Sequence, residues 1–276
     1  MMIKRGWLLL LLLISAAAVS FAAARSSDRN QAMRAEFVGA VSRELAFNVE
    51  LRPYNYSRQE LEVLFAGVRA DIKPAAKKHV THNGSAKKIE IYRRIFLNKD
   101  AVQMGRAYGH LYADKLRAAE QRYGVPQEII IAIICLESGF GRNLGNADAM
   151  TALYTTYANS VVSEKLVRAR EFVKQTAYFL ALCKKERWDP KKVLGSSAGA
   201  LGIPQFMSVA WWHYAADGDG DGRINLFASH PDAIFSAANY LFVHGWKQDH
   251  RGSILKYNYD SAYAETILAY AEALRK

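Results

Sequence analysis

The sequence predicts a mainly α-helical protein, and three observations carry that prediction. Apolar residues recur at three- and four-residue spacings along most of the 276-residue chain. Few segments alternate with the period of two that a half-buried strand requires. The apolar run Ile129 to Leu136 opens behind Pro126-x-Glu128 and closes at Gly139, which are helix start and stop signals.

At the N-terminus, Lys4 and Arg5 precede an apolar run from Trp7 to Val19, and Ala22 to Ala24 offer a small-residue cleavage site before Arg25. This is the pattern of a secretory signal peptide over residues 1–24. The alternative is an uncleaved membrane anchor, because the stretch nearly spans a bilayer. No cysteine lies near the end of the run to take a lipid. Lys and Arg number 37 against 26 Asp and Glu, a formal net charge of +11. Such a surplus suits an anionic partner. Export argues against nucleic acid and leaves an acidic membrane face or an acidic envelope polymer. Hydrophobic residues make up 51% of the chain, enough for a substantial core. An exported chain could pair Cys135 with Cys183; two buried thiols are the reading we favour.

Residues 29–67 place Phe37, Val41 and Leu45, then Leu61, Leu64, Phe65 and Val68, at helical spacings. Lys73 to Lys88 is polar and basic, contains Pro74, Asn83 and Gly84, and reads as a loop. Asp100 to Arg122 reads as one long helix ended by Gly124-Val125-Pro126. Pro126 then begins a helix whose stretch Ile129 to Leu136 is apolar on every side and therefore buried. Met150 to Arg187 is helical, as one helix or two; Gly195 to Gly202 is a loop; Phe206 to Ala216 is a short helix. Asp217 to Asn225 is a loop, and Asp232 to His244 and Ser261 to Arg275 are helices.

Four segments could carry chemistry. Glu137 closes the buried run and precedes Ser138-Gly139-Phe140-Gly141. A carboxyl there loses solvation and stays protonated near neutrality, as a general acid requires; the plainer reading is a helix-end Glu that reaches water. Ser196 to Met207 is rich in Gly and Ala, so a polymer could approach its backbone, and Gln205 offers an amide to sugar hydroxyls. Asp217, Asp219 and Asp221 with Gly222 and Ile224 fit positions 1, 3, 5, 6 and 8 of an EF-hand-type calcium loop. Position 12 is Ala228 rather than Glu, and Asp232 is the candidate to close the site. An acidic surface turn is the plainer reading. Finally, aromatic residues crowd the C-terminal part, with Tyr257-Asn258 followed by Tyr263 the most site-like group.

Taken in order, these segments resemble the lytic transglycosylase B family. Tyr123-Gly-Val-Pro-x-Glu-Ile-Ile130, then Glu137 with Gly141-Arg142, resembles its catalytic helix. Ser196-x-Ala-Gly-Ala-x-Gly-x-x-Gln-Phe-Met207 resembles its cleft loop, and Asp219-Gly-Asp-Gly-x-Ile-Asn-Leu226 with Asp232 its calcium loop. Ala238-Asn-Tyr240, His244-Gly-Trp246, Tyr257-Asn258 with Tyr263, and Tyr92-Arg-Arg-x-Phe96 complete the likeness. Pro204 and Ser208 depart from the usual pattern.

The resemblance implies an exported cell-envelope or periplasmic enzyme with a lysozyme-like catalytic domain over residues 91–276. An N-terminal helical region, residues 25–90, would pack on it. It implies Glu137 as single acid/base. Tyr92, Ser196, Gln205, Tyr240, Tyr257, Asn258 and Tyr263 would line the cleft. Asp217, Asp219, Asp221, the Arg223 carbonyl and Asp232 would hold a structural calcium ion. It implies peptidoglycan glycan strands as partner, other cell-wall enzymes as candidate partners, a monomer and no organic cofactor. Two other functions fit the residues: a muramidase, with Asp148 as second carboxylate, and a non-catalytic glycan-binding protein. A calcium-stabilised structural protein fits only the acidic loop.

Overall fold

A computed structural model describes residues 26–72 and 84–276. The expected signal segment, residues 1–24, and residues 73–83 of the expected basic loop lie outside the described residues. In chain order the helices are α1 (Ser26–Phe47), α2 (Arg58–Leu64), α3 (Gly84–Phe96), α4 (Lys99–Leu111), α5 (Ala113–Tyr123) and α6 (Gln127–Ser138). There follow α7 (Ala149–Val162), α8 (Leu166–Glu186), α9 (Ser208–Tyr214), α10 (His230–Val243), α11 (His250–Tyr257) and α12 (Ser261–Arg275). Two strands, β1 (Ala147–Asp148) and β2 (Leu194–Gly195), pair antiparallel with Ala147 opposite Gly195. The fold is therefore mainly α, as expected. Among the described residues no helix is long and apolar enough to cross a membrane.

The described residues form two compact units. The first joins residues 26–72 to 147–199; the second joins 84–146 to 200–276. This division differs from the single expected boundary near residue 90, and aromatic packing explains it. Phe37 of α1 is fully buried, with its ring centroid 4.6 Å from Tyr157 and 5.1 Å from Tyr154, both on α7, and 5.5 Å from Phe65. Residues far apart in sequence thus share one core. Each ring buries a large apolar area, so Phe37→Ala should cost about 3–5 kcal/mol. Denaturant unfolding checks this; a loss below about 1 kcal/mol would contradict the packing.

In the second unit α6 is the central helix. Ile129 to Cys135 are all buried on it, against α4, α10 and α12. Its neighbours depart from the sequence reading in three places. Residues 84–88, expected as loop, begin α3. The expected long helix over 100–122 breaks at Tyr112 (φ −111°, ψ 25°) into α4 and α5. Its ring stacks on His230, 4.9 Å between centroids. Helix α11 was not foreseen: it is short and contains Gly252, and Asp249 caps it by accepting from the Gly252 N–H at 2.8 Å. Cys135 and Cys183 are buried free thiols, and burial raises the pKa of each.

Candidate active site

Glu137 is the penultimate residue of α6, where the apolar run meets the surface. The helix stops because Gly139 turns left-handed (φ 56°), so that its N–H and that of Phe140 return to the Cys135 and Ile134 carbonyls. Phe140 (φ 63°) and Gly141 (φ 78°) continue the left-handed turn. The chain thereby leaves the helix sharply and Glu137 keeps a partly open surface.

Its carboxyl faces tyrosines. The Tyr263 hydroxyl, from the first turn of α12, donates to Glu137 Oε1 at 2.7 Å. Tyr257, the last residue of α11, and Tyr263 are both held far above the ordinary tyrosine range, first by burial and second by the nearby Glu137 charge. Burial also pushes Glu137 up, to about 7, and the Tyr263 hydrogen bond opposes that rise only in part. A carboxyl that titrates near neutrality can give up a proton and take one back within a catalytic cycle.

Around this pair the other expected residues of the second unit assemble. Tyr257 donates to the Pro204 carbonyl at 2.7 Å, which ties α11 to the 201–206 turn. Tyr240 of α10 donates to the Lys256 carbonyl at 2.7 Å and lies edge-on to Tyr257, 4.8 Å between centroids. Gln205 adopts a left-handed backbone (φ 50°), and its Nε2 donates to the Gly202 carbonyl at 2.8 Å and the Leu144 carbonyl at 3.2 Å. Its amide therefore spends its donors on holding loops. Asn258 is exposed, at the junction of α11 and α12. Tyr92 on α3 lies close enough to Tyr263 for its charge to oppose that of Tyr263. Ser196 belongs to the first unit, where its Oγ accepts from the Ala198 N–H at 3.3 Å.

Sequence reading missed the residues that set this arrangement. Lys88, assigned to a loop, forms an ion pair from α3 to Asp260, the cap of α12. Asp260 just ahead of an apolar-periodic stretch is a cap signature that the sequence did contain. Tyr108 and His230, neither in any motif, meet behind the Glu137 turn.

In the acidic loop three carboxylates converge. Asp217, Asp219 and Asp221 each bring a carboxylate oxygen within 4.8 Å of the other two. Backbone N–H groups of Gly220 and Gly222 donate to Asp217 at 2.6 and 2.8 Å and hold its carboxyl below the usual range. Hard oxygen donors of like charge suit a divalent cation such as calcium. Asp232, the expected closing ligand, is not part of this triple. It is buried, and its two oxygens accept from the Gly218 and Asn225 N–H groups at 2.8 and 2.7 Å. It fastens the two ends of the loop. Arg223 gives its backbone N–H to Asp221 at 2.8 Å.

A sequence profile described as the transglycosylase SLT domain matches residues 42–266. The chain belongs to that family. Membrane-bound lytic murein transglycosylase B of Escherichia coli strain K12 is 42% identical over 155 residues. That match spans 56% of this chain and 41% of the relative, so the chain covers about two fifths of that transglycosylase. The solved E. coli lytic transglycosylase Slt35 in complex with bulgecin A superposes with a TM-score of 0.71 at 25% identity, over 87% of this chain and 92% of that one. The same enzyme solved in complex with calcium gives 0.69 at 25% identity, over the same shares of both chains. Soluble lytic transglycosylase SltB1 of Pseudomonas aeruginosa gives 0.69 at 27% identity, over 87% and 97%. The fold is the lysozyme-like fold of these transglycosylases.

Proposed function

We propose that the protein is a lytic murein transglycosylase of the cell envelope with Glu137 as its single acid/base. The observation that carries this reading is the Glu137 carboxyl held by the Tyr263 hydroxyl at the end of an otherwise apolar helix, where burial raises its pKa to about 7. Membership of the transglycosylase family supports the reaction class. Protonated Glu137 gives its proton to the glycosidic oxygen between N-acetylmuramic acid and N-acetylglucosamine, and the bond to the anomeric carbon breaks. The resulting carboxylate takes the proton of the muramic acid 6-hydroxyl, whose oxygen bonds the same anomeric carbon. Glu137 ends protonated, a 1,6-anhydro ring forms and no water is consumed. The substrate's own acetamido group can hold the intermediate, so a second carboxylate is unnecessary, unlike in two-carboxylate glycosidases. Asp148, the second acid a muramidase would need, spends an oxygen capping α7, accepting from the Thr151 N–H at 2.6 Å.

Tyr92, Tyr240, Tyr257, Tyr263, Gln205 and Asn258 would border the glycan. The Gly-rich turn that carries Gln205 lets a polymer approach the backbone.

Asp217, Asp219, Asp221 and the Arg223 carbonyl, with Asp232 as the closing ligand, would bind calcium, which would neutralise carboxylates that otherwise repel one another. The calcium complex of Slt35 supports this assignment. A ligand that binds only the folded state stabilises it, so calcium added to the metal-stripped protein should raise Tm by roughly 5–10 °C at a hundredfold excess over Kd. Asp219→Asn should lose most of that gain. A melting curve indifferent to calcium would sink the site.

The function is tested by mass spectrometry of fragments released from purified peptidoglycan. Anhydro-muramyl ends are expected. Reducing ends would make the protein a muramidase, and binding without release would make it a glycan-binding protein.

A further inference from the structure

The turn behind Glu137 is strained, and the structure shows what holds it. Gly139, Phe140 and Gly141 are left-handed in succession. Glycine tolerates that backbone, but a bulky side chain does not adopt it unaided. Phe140 therefore needs a support, and its ring stacks on Tyr108 of α4, 4.8 Å between centroids at 29°. The Tyr108 hydroxyl is in turn 3.1 Å from Nδ1 of His230, the first residue of α10. His230 is stacked on its other side by Tyr112. The His230 ring also packs on the turn itself: a Cβ placed on Gly141 would lie 3.4 Å from His230 Cε1. Tyr108, Tyr112 and His230 belong to none of the motifs that carry the family likeness.

We propose that Tyr108 and His230 form a positioning clamp that holds the left-handed turn behind Glu137 and thereby keeps the carboxyl in place beside Tyr263. The clamp rests on the reading of Glu137 as acid/base. The Tyr108 hydroxyl and His230 Nδ1 share one hydrogen bond, whose direction follows the imidazole tautomer, while the Nε2 side of the ring lies against Gly141. Without that bond the Tyr108 ring that braces Phe140 loses its anchor on His230, and Phe140 relaxes out of the left-handed region. The end of α6 then rotates, and water reaches the carboxyl.

Three variants of the full chain test this. Tyr108→Phe removes one hydroxyl and leaves the ring stack. His230→Ala removes the clamp from the other side, and His230→Asn keeps an oxygen where Nδ1 stands. The readout is the titration of Glu137 followed by 13C NMR, with kcat and KM on purified peptidoglycan alongside. Tyr257 and Tyr263 face the carboxyl from α11 and α12, and burial keeps both neutral through the pH range concerned. In Tyr108→Phe and His230→Ala the Glu137 midpoint should fall by about one unit or more towards the ordinary carboxylate range. Their kcat should drop about tenfold with KM within about twofold, and His230→Asn should restore most of both. A purely structural role would lower Tm and leave the Glu137 midpoint where it is. An unmoved midpoint in Tyr108→Phe and His230→Ala overturns the clamp. Absence of any release by the wild-type protein would instead overturn the functional reading, and the titration would still decide the clamp.

Discussion

Glu137→Gln should abolish murein cleavage and, above neutral pH, yield a more stable protein. The amide cannot give a proton to the glycosidic oxygen or take one from the 6-hydroxyl, so both halves of the reaction fail. A single general acid/base step is worth about 10²–10⁴ in rate, and the loss should lie at the upper end of that range. The stability change has the opposite sign. Burial raises Glu137 from 4.5 to about 7, so the folded protein favours the neutral acid. That contribution is complete below pH 4.5 and is lost as pH rises through about 7. Above that, the ionised carboxylate costs up to about 3 kcal/mol. Glutamine carries no charge, and its carbonyl still accepts from Tyr263. Denaturant unfolding should therefore find the variant stabilised by up to about 3 kcal/mol at pH 8 and nearly unchanged at pH 4. Wild-type activity should fall as pH rises through about 7. Equal stability of the two proteins at pH 8 would place the carboxyl in water and remove the argument for its role.

Gly202→Ala should damage fold and activity together. Gly202 has φ 71°, and a Cβ there would lie 2.5 Å from the Leu226 carbonyl oxygen and 2.9 Å from its carbon. Backbone cannot swing aside as a flexible side chain can. The same carbonyl accepts from the Ile203 N–H at 2.8 Å, and the Gly202 carbonyl accepts from Gln205 Nε2 at 2.8 Å. Displacing Gly202 therefore moves the turn that carries Gln205 and the Pro204 carbonyl on which Tyr257 rests. Left-handed strain plus the forced shift should cost about 3 kcal/mol. A displacement of about 1 Å at the site should lower kcat about a hundredfold. A variant with wild-type Tm and kcat would show that the turn is softer than its contacts imply.

The helical class, and the buried helix ending at Glu137, were legible because period and length both speak in sequence. Eight apolar residues between Pro126 and Gly139 have few other solutions. The acidic triple was legible because its spacing is itself the geometry. For Asp232 the sequence gives the spacing of a carboxylate but not its direction; its two oxygens accept from the Gly218 and Asn225 N–H groups. The break at Tyr112 was hidden because no Pro or Gly marks it. The clustering of 147–199 with 26–72 was hidden because Phe37 meets Tyr154 and Tyr157 across more than a hundred residues of chain. Tyr108 and His230 carry no motif; only the backbone angles of Phe140 show that something must hold the turn.

The central claim is that Glu137 drives cleavage without water. It is tested most directly by digesting purified peptidoglycan in ¹⁸O-enriched water, with wild-type protein and Glu137→Gln in parallel, and weighing the released muropeptides. The account predicts anhydro-muramyl fragments free of ¹⁸O from the wild-type protein and no fragments from the variant. Reducing-end fragments carrying ¹⁸O, or cleavage that survives Glu137→Gln, would contradict it.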